Sequence, residues 1–144
     1  RPKLQLKLLM KRRKFLKTLC LTSVSFNTSL LIGCKTTTQS YLPKVQKNSL
    51  IVPKSLFSNK KIVQVKYHNK VIALVKLAEN NYPASLLECT HRGCAVEVTQ
   101  TEFVCPCHGA RFNKTGQVIK GPATKDLVGF NTRNVDDVIL IDTP

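Results

Sequence analysis

The sequence of 144 residues contains no tryptophan, one methionine and only 6% aromatic residues. Acidic residues are missing from its first half, where none precedes Glu79. The basic residues are not accompanied by the aromatic and arginine platforms or the recognition motifs of nucleic-acid-binding proteins, so no nucleic-acid partner is expected. A chain of this length has room for one small domain and an appendage.

Positive charge is concentrated in the first 78 residues. The net charge is +15, and all eight acidic residues lie from Glu79 onward, where only six basic residues accompany them. The second half is therefore close to neutral. A basic first half suits anionic lipid headgroups or an acidic protein partner, and it equally suits a solvated face that keeps the protein soluble.

The first 34 residues have the organisation of an export signal. The basic segment Lys11–Lys17 contains paired arginines and precedes fifteen uncharged residues, 18–32, after which Gly33 and Cys34 follow. The arginines resemble a twin-arginine signal, and Leu-Ile-Gly-Cys at 31–34 resembles a bacterial lipobox, which predicts cleavage before Cys34 and lipid on its sulfur. Met10, the only methionine, is a candidate start of translation.

An uncleaved membrane anchor is the alternative interpretation of this segment. Its fifteen uncharged residues are fewer than the roughly 18–20 apolar residues that span a bilayer, which favours the lipoprotein. Both interpretations predict a domain tethered on the periplasmic side of a bacterial membrane.

Residues 35–50 are predicted to be a linker, and residues 51–144 a domain. Lys61–Tyr67 alternates apolar and polar residues, Val71–Leu77 is a mostly apolar run, and a short polar segment lies between them, which predicts a β-hairpin. Further short strands are predicted at 84–87, 95–98, 102–104 and 138–141. No amphipathic pattern of ten residues or more indicates a helix. We expect an all-β fold of two small antiparallel sheets, with cysteine-rich loops at one end.

Four of the six cysteines lie in two short segments of similar design. Cys89–Cys94 reads CTHRGC and Cys105–Gly109 reads CPCHG, so each segment supplies cysteine and histidine. Two thiolates and two imidazoles suit either an iron–sulfur cluster or a structural zinc ion. Zinc would leave two of the four loop cysteines without a role, and Cys-x-His spacing is uncommon in zinc fingers, so an iron–sulfur cluster is favoured.

The two segments together resemble the signature of the Rieske family of 2Fe-2S proteins. The resemblance covers about residues 82–127, including Gly116 and the segment 121–123, which is similar to the family's proline loop. It implies that one 2Fe-2S cluster is held by four ligands, two on each iron: Cys89 and Cys105, then His91 and His108. It also implies a disulfide between Cys94 and Cys107, which an oxidising compartment outside the cytoplasm would preserve.

The resemblance implies electron transfer, and no catalytic residue is assigned. We expect either a periplasmic carrier or the small subunit of an oxidoreductase such as the arsenite oxidase type, with cytochrome c or another redox protein as partner. The alternative is the Rieske subunit of a quinol:cytochrome c oxidoreductase. A dioxygenase ferredoxin component is disfavoured, because those components are cytosolic and lack the disulfide cysteines. Any oxidoreductase activity would belong to a larger complex.

Three positions depart from the pattern of the quinol-oxidising relatives. Those relatives carry serine and tyrosine hydroxyls where this chain has Ala110 and Phe112, and usually leucine where it has Arg92. Hydrogen bonds to the sulfurs stabilise the reduced cluster, so their absence predicts a lower potential. A charged Arg92 would fit poorly in an apolar quinol site.

Overall fold

The structure, a computed structural model, describes residues 39–144. The predicted export signal, the proposed lipidation site Cys34 and the first residues of the linker lie outside this range. Within it no helix is long and apolar enough to cross a bilayer. A short 3₁₀-helix, Lys54–Phe57, accompanies twelve strands: β1 Lys44–Gln46, β2 Ser49–Pro53, β3 Ile62–Tyr67, β4 Lys70–Val75, β5 Ala84–Leu86, β6 Glu97–Val98, β7 Phe103–Val104, β8 Arg111–Phe112, β9 Val118–Lys120, β10 Gly129–Phe130, β11 Thr132–Val135 and β12 Val138–Asp142.

The strands form three antiparallel sheets of four strands each. The terminal sheet has the order β1-β2-β12-β11, the middle sheet β10-β5-β4-β3 and the cysteine-loop sheet β6-β7-β8-β9. The all-β prediction is confirmed, but the expected number of two sheets was wrong. The strands of the cysteine-loop sheet are only two or three residues long, which is too short for alternation in the sequence to reveal a separate sheet.

The predicted hairpin is present. Strands β3 and β4 pair from Ile62 opposite Val75 to Tyr67 opposite Lys70, around a two-residue turn that begins at His68. His68 has a positive φ of 51°, as tight two-residue hairpin turns require. It is exposed, in agreement with its interpretation as a turn residue.

The linker expected at 35–50 is structured in its second half. Tyr41 donates its backbone N–H to the carbonyl of Gln64 at 2.7 Å, and β1 together with the start of β2 lies before residue 51. Leu50 is buried in the core. The sequence did not reveal β1 because all three of its residues are exposed, and a strand without a buried face has no apolar alternation.

Strand β4 connects two hydrophobic cores. Side chains of a strand point alternately to opposite faces, so Ile72 and Leu74 enter one core while Ala73 and Val75 enter the other. The first core lies between the terminal and middle sheets. The second contains Cys89 and Cys105, so the cysteine loops are anchored directly to the central strand of the fold.

Candidate metal centre

The two cysteine segments fold into loops with the same backbone hydrogen bonds. In both Cys89–Cys94 and Cys105–Ala110, the first cysteine donates its N–H to the carbonyl five positions later, at 2.8 Å. The same cysteine accepts the N–H of the glycine four positions later, at 2.7 and 3.0 Å. These glycines, Gly93 and Gly109, have φ of 72° and 74°, a conformation that glycine adopts without strain. The matched motifs therefore produce matched loops.

Each loop is carried by a short antiparallel ladder. The first extends from β5 through a bridge between Glu88 and Ala95, and Glu88 forms an ion pair with Lys70 of β4. The second connects β7 to β8. Cys105 thus lies directly after β7, and Cys89 directly after the bridge at Glu88, where the pairing limits their movement.

Cys89 and Cys105 are buried side by side as free thiols, with 2% and 1% of their surfaces exposed. Burial raises the pKa of the Cys89 thiol, the backbone N–H of His91 acts in the opposite direction, and the neighbouring Cys105 thiol raises the pKa further. Two adjacent buried thiols can both bind a metal ion that takes the place of their protons.

The two predicted histidine ligands also come together. The ring centroids of His91 and His108 are 5.0 Å apart, with the ring planes at 89°. Nδ1 of His91 is buried without a hydrogen-bond partner, and it is the single such side-chain atom within residues 39–144. Because an unpaired buried nitrogen costs about 1–3 kcal/mol, a metal ligand role accounts for it. The residues present therefore fit the cluster.

Cys94 and Cys107 form a disulfide, as the resemblance implied, with their Cα atoms 6.6 Å apart. The sulfurs of these two residues and of Cys105 lie within 4.8 Å of one another. Since Cys94 and Cys107 are bonded to each other, neither offers a thiolate to a metal. They therefore brace the loops, and the free thiol of Cys105 stays available to a metal ion.

The segment 121–125 packs against the first loop. Thr90 Oγ1 donates a hydrogen bond to the carbonyl of Lys125 at 2.6 Å, and Ala123 is buried in the core that holds the two thiols. The peptide bond between Gly121 and Pro122 in this segment is cis. Thr90 was not among the residues predicted from the sequence, although its position between Cys89 and His91 was a signal.

The three positions that depart from the pattern of the quinol-oxidising relatives lie in different environments. Ala110 and Phe112 are fully buried in the core that contains both thiols, so neither brings a hydroxyl to the site. Arg92 is exposed on the first loop, which keeps its charge solvated.

A family model described as the Rieske [2Fe-2S] domain matches residues 48–132. The match covers more than half of the chain, which therefore belongs to the Rieske family. The matching model describes a 2Fe-2S domain, so the cofactor of this chain is a 2Fe-2S cluster rather than zinc.

Relatives known from sequence include iron-sulfur subunits of cytochrome b6-f complexes. The chain is 44% identical over 55 residues to the cytochrome b6-f complex iron-sulfur subunit of Desmonostoc sp., and 41% identical over 58 residues to that of Synechococcus elongatus. These matches cover 37% and 39% of this chain. The chain spans about a third of the length of these relatives, 31% and 32%.

Solved structures show the same fold. The plasma membrane Rieske protein of Synechocystis PCC 6803 is 32% identical, with a TM-score of 0.57, and the match covers 63% of this chain and 95% of that one. A chain of a hyperthermophilic respiratory complex III aligns with a TM-score of 0.52 over 95% of this chain and 98% of that one. At 18% identity this second likeness supports the fold alone.

Proposed function

We propose that the protein is a membrane-tethered electron carrier in which Cys89 and Cys105 hold one iron of the cluster and His91 and His108 hold the other. The observation that carries this proposal is the matched pair of loops, which brings two buried free thiols and two adjacent imidazoles to one end of a ladder of short strands. The two remaining cysteines of the loops are joined to each other.

When bound, such a cluster supplies reversible one-electron transfer at a potential above that of all-cysteine 2Fe-2S centres. The chain's own residues make the two sides of the site different. Phe103 and Phe112 are fully buried in the core around the thiols, whereas His108 is exposed and His91 half-buried. The imidazole side is therefore where cytochrome c or another redox protein would approach.

The tether is proposed from the sequence. Residues 1–34 would direct export of the folded protein, and lipid on Cys34 would hold the domain at the periplasmic face of the membrane. The membrane association of a relative, the plasma membrane Rieske protein of Synechocystis, supports this location.

The first test is a redox titration of the purified holoprotein monitored by EPR, with iron and zinc measured in parallel. We expect the spectrum of a mixed cysteine and histidine cluster, lost on Cys89→Ser or His108→Ala. His68→Asn provides the matched control, because His68 is the remaining histidine and lies in an exposed turn. Zinc in place of iron, or loss of the spectrum in the His68 variant alone, would refute the ligand assignment.

The second candidate function is the Rieske subunit of a quinol:cytochrome c oxidoreductase. It is favoured by the likeness to the cytochrome b6-f iron-sulfur subunits, and opposed by the exposed charge of Arg92 at the loop tip. A subunit of that kind should copurify with a cytochrome b and respond to quinol-site inhibitors. A carrier should be isolated without cytochrome b and still reduce cytochrome c.

A further inference from the structure

One end of the middle sheet carries a cluster of lysines. At this end β3 begins and β4 finishes, and the backbone N–H of Lys76 donates to the carbonyl of Lys61 at 2.8 Å. We call Lys60, Lys61 and Lys76 the lysine pole. They line a cleft of about 590 Å³ together with Phe57 and Leu77.

The charge of the lysine pole is not neutralised by neighbours. Lys60 and Lys61 are exposed and Lys76 is half-buried, and none of the three takes part in a salt bridge within residues 39–144. The sequence holds no acidic residue before Glu79, and Glu79 is the one acid that lines the cleft. The cleft is therefore positive by about two charges at neutral pH.

The chain enters the domain at the same end. Tyr41 pairs in parallel with Val65, donating to the carbonyl of Gln64 and accepting the N–H of Lys66. Because the segment around Tyr41 and strand β3 run in the same direction, the residues that precede Tyr41 lie beside the first residues of β3. The described chain thus begins next to the lysine pole.

The cysteine loops lie toward the opposite end of the sheet. Leu87 donates its N–H to the carbonyl of Val71 at 2.8 Å, and Glu88 pairs with Lys70 at the turn end of β4, directly before the first loop. Lys76 lies six positions after Lys70, which corresponds to about 20 Å along a strand. The point where the chain enters the domain, beside the lysine pole, therefore lies toward the other end of β4 from the start of the first cysteine loop.

We infer that the lysine pole docks on the anionic lipid surface of the membrane and orients the domain with its cysteine loops directed away from the bilayer. This inference rests on the proposed lipid tether at Cys34. Only seven residues lead from Cys34 to Tyr41, and they span at most about 25 Å. A lysine near an anionic bilayer strengthens binding by about fivefold, and this attraction acts within about 8–10 Å at physiological ionic strength.

The orientation has a consequence for the redox partner. A loop tip directed away from the bilayer meets proteins in the aqueous compartment rather than a quinol within the membrane. The inference therefore deepens the carrier proposal and separates it from the quinol-oxidising alternative.

The test is lysine labelling of the full-length holoprotein reconstituted into vesicles, with an amine-reactive reagent and mass spectrometry. On phosphatidylglycerol vesicles we expect the labelling rates of the lysine pole to fall by about fivefold or more relative to detergent. Lys120 and Lys125, exposed on the cysteine-loop side, should be labelled as in detergent. On phosphatidylcholine vesicles the protection should disappear.

Two double variants with the same loss of charge are compared. One removes two lysines of the lysine pole, and the other, the matched control, removes two lysines on the cysteine-loop side. Lys60→Gln with Lys61→Gln should remove the protection of Lys76, whereas Lys120→Gln with Lys125→Gln should leave it intact. Protein that does not stay with the vesicles would refute the tether itself. Tethered protein in which the lysine pole is labelled as fast as in detergent, or is protected equally on phosphatidylcholine, would refute the docking inference alone.

Discussion

Replacing Ala110 by serine should raise the reduction potential of the cluster. Strands β7 and β8 pair Phe103 with Phe112 and Val104 with Arg111, and the next pair, Cys105 and Ala110, is joined by the hydrogen bond from the Cys105 N–H to the Ala110 carbonyl. Residues directly opposite in an antiparallel ladder have Cβ atoms about 4.5–5.5 Å apart. A hydroxyl on residue 110 therefore lies within reach of the sulfur of Cys105.

The expected size follows from the net value of one hydrogen bond. A donor to sulfur stabilises the reduced cluster, which carries the additional negative charge, more than the oxidised one. With about 0.5–1.5 kcal/mol for one hydrogen bond, and 59 mV for each tenfold change in a one-electron equilibrium, Ala110→Ser should raise the potential by about 20–65 mV. The combination with Phe112→Tyr should raise it further, because residue 112 lies diagonally across from Cys105 in the same ladder.

The assay is an EPR-monitored redox titration of the holoprotein and its variants at one pH. Ala84→Ser and Phe57→Tyr are the matched controls, because Ala84 and Phe57 are buried in the first core, apart from the cysteine loops. Neither control should change the potential. If Ala110→Ser retains an intact cluster spectrum and its potential is unchanged or lower, the hydrogen-bond reasoning is refuted.

Three further predictions concern stability. Gly116→Ala should lower the free energy of unfolding by about 1–3 kcal/mol, since Gly116 has φ of 87° and an added Cβ would lie 2.5 Å from Ser85 Oγ; urea titration measures this. Cys107→Ser should lower it by about 3 kcal/mol, because the disulfide closes a separation of 13 residues. Hydrogen bonds from Arg133 hold the pKa of Asp142 below its ordinary value, so its stabilising contribution should be complete above about pH 4 and disappear as the pH falls below that; Asp142→Asn should flatten this acid dependence.

Each of these predictions has a result that contradicts it. A Gly116→Ala protein as stable as the parent would show that the turn can move away from Ser85. Unchanged unfolding of Cys107→Ser, measured without reductant, would show that the disulfide does not stabilise the fold. An Asp142→Asn variant that loses stability in acid as steeply as the parent would assign the acid sensitivity to other groups.

Local sequence patterns predicted the β3–β4 hairpin because alternation over six residues and a polar turn are encoded in neighbouring positions. They did not predict β1, whose three residues are all exposed, or β8 and β9 of the cysteine-loop sheet, which are only two and three residues long. For the same reason, the sequence did not reveal that the second half of the expected linker 35–50 is structured. Its polar composition matched a flexible segment, while the pairing of Tyr41 with Val65 and of β2 with β12 depends on residues far along the chain.

The sequence by itself determined the chemistry of the site, since the identity and spacing of two cysteines and two histidines restrict the cofactor that they can bind. It also determined the absence of hydroxyl donors at Ala110 and Phe112. Only the tertiary structure decided that Nδ1 of His91 is buried without a partner and that the lysine pole and the cysteine loops lie toward opposite ends of one sheet. Those features depend on which strands pair and in which register, and pairing between distant segments is set by packing that no local pattern records.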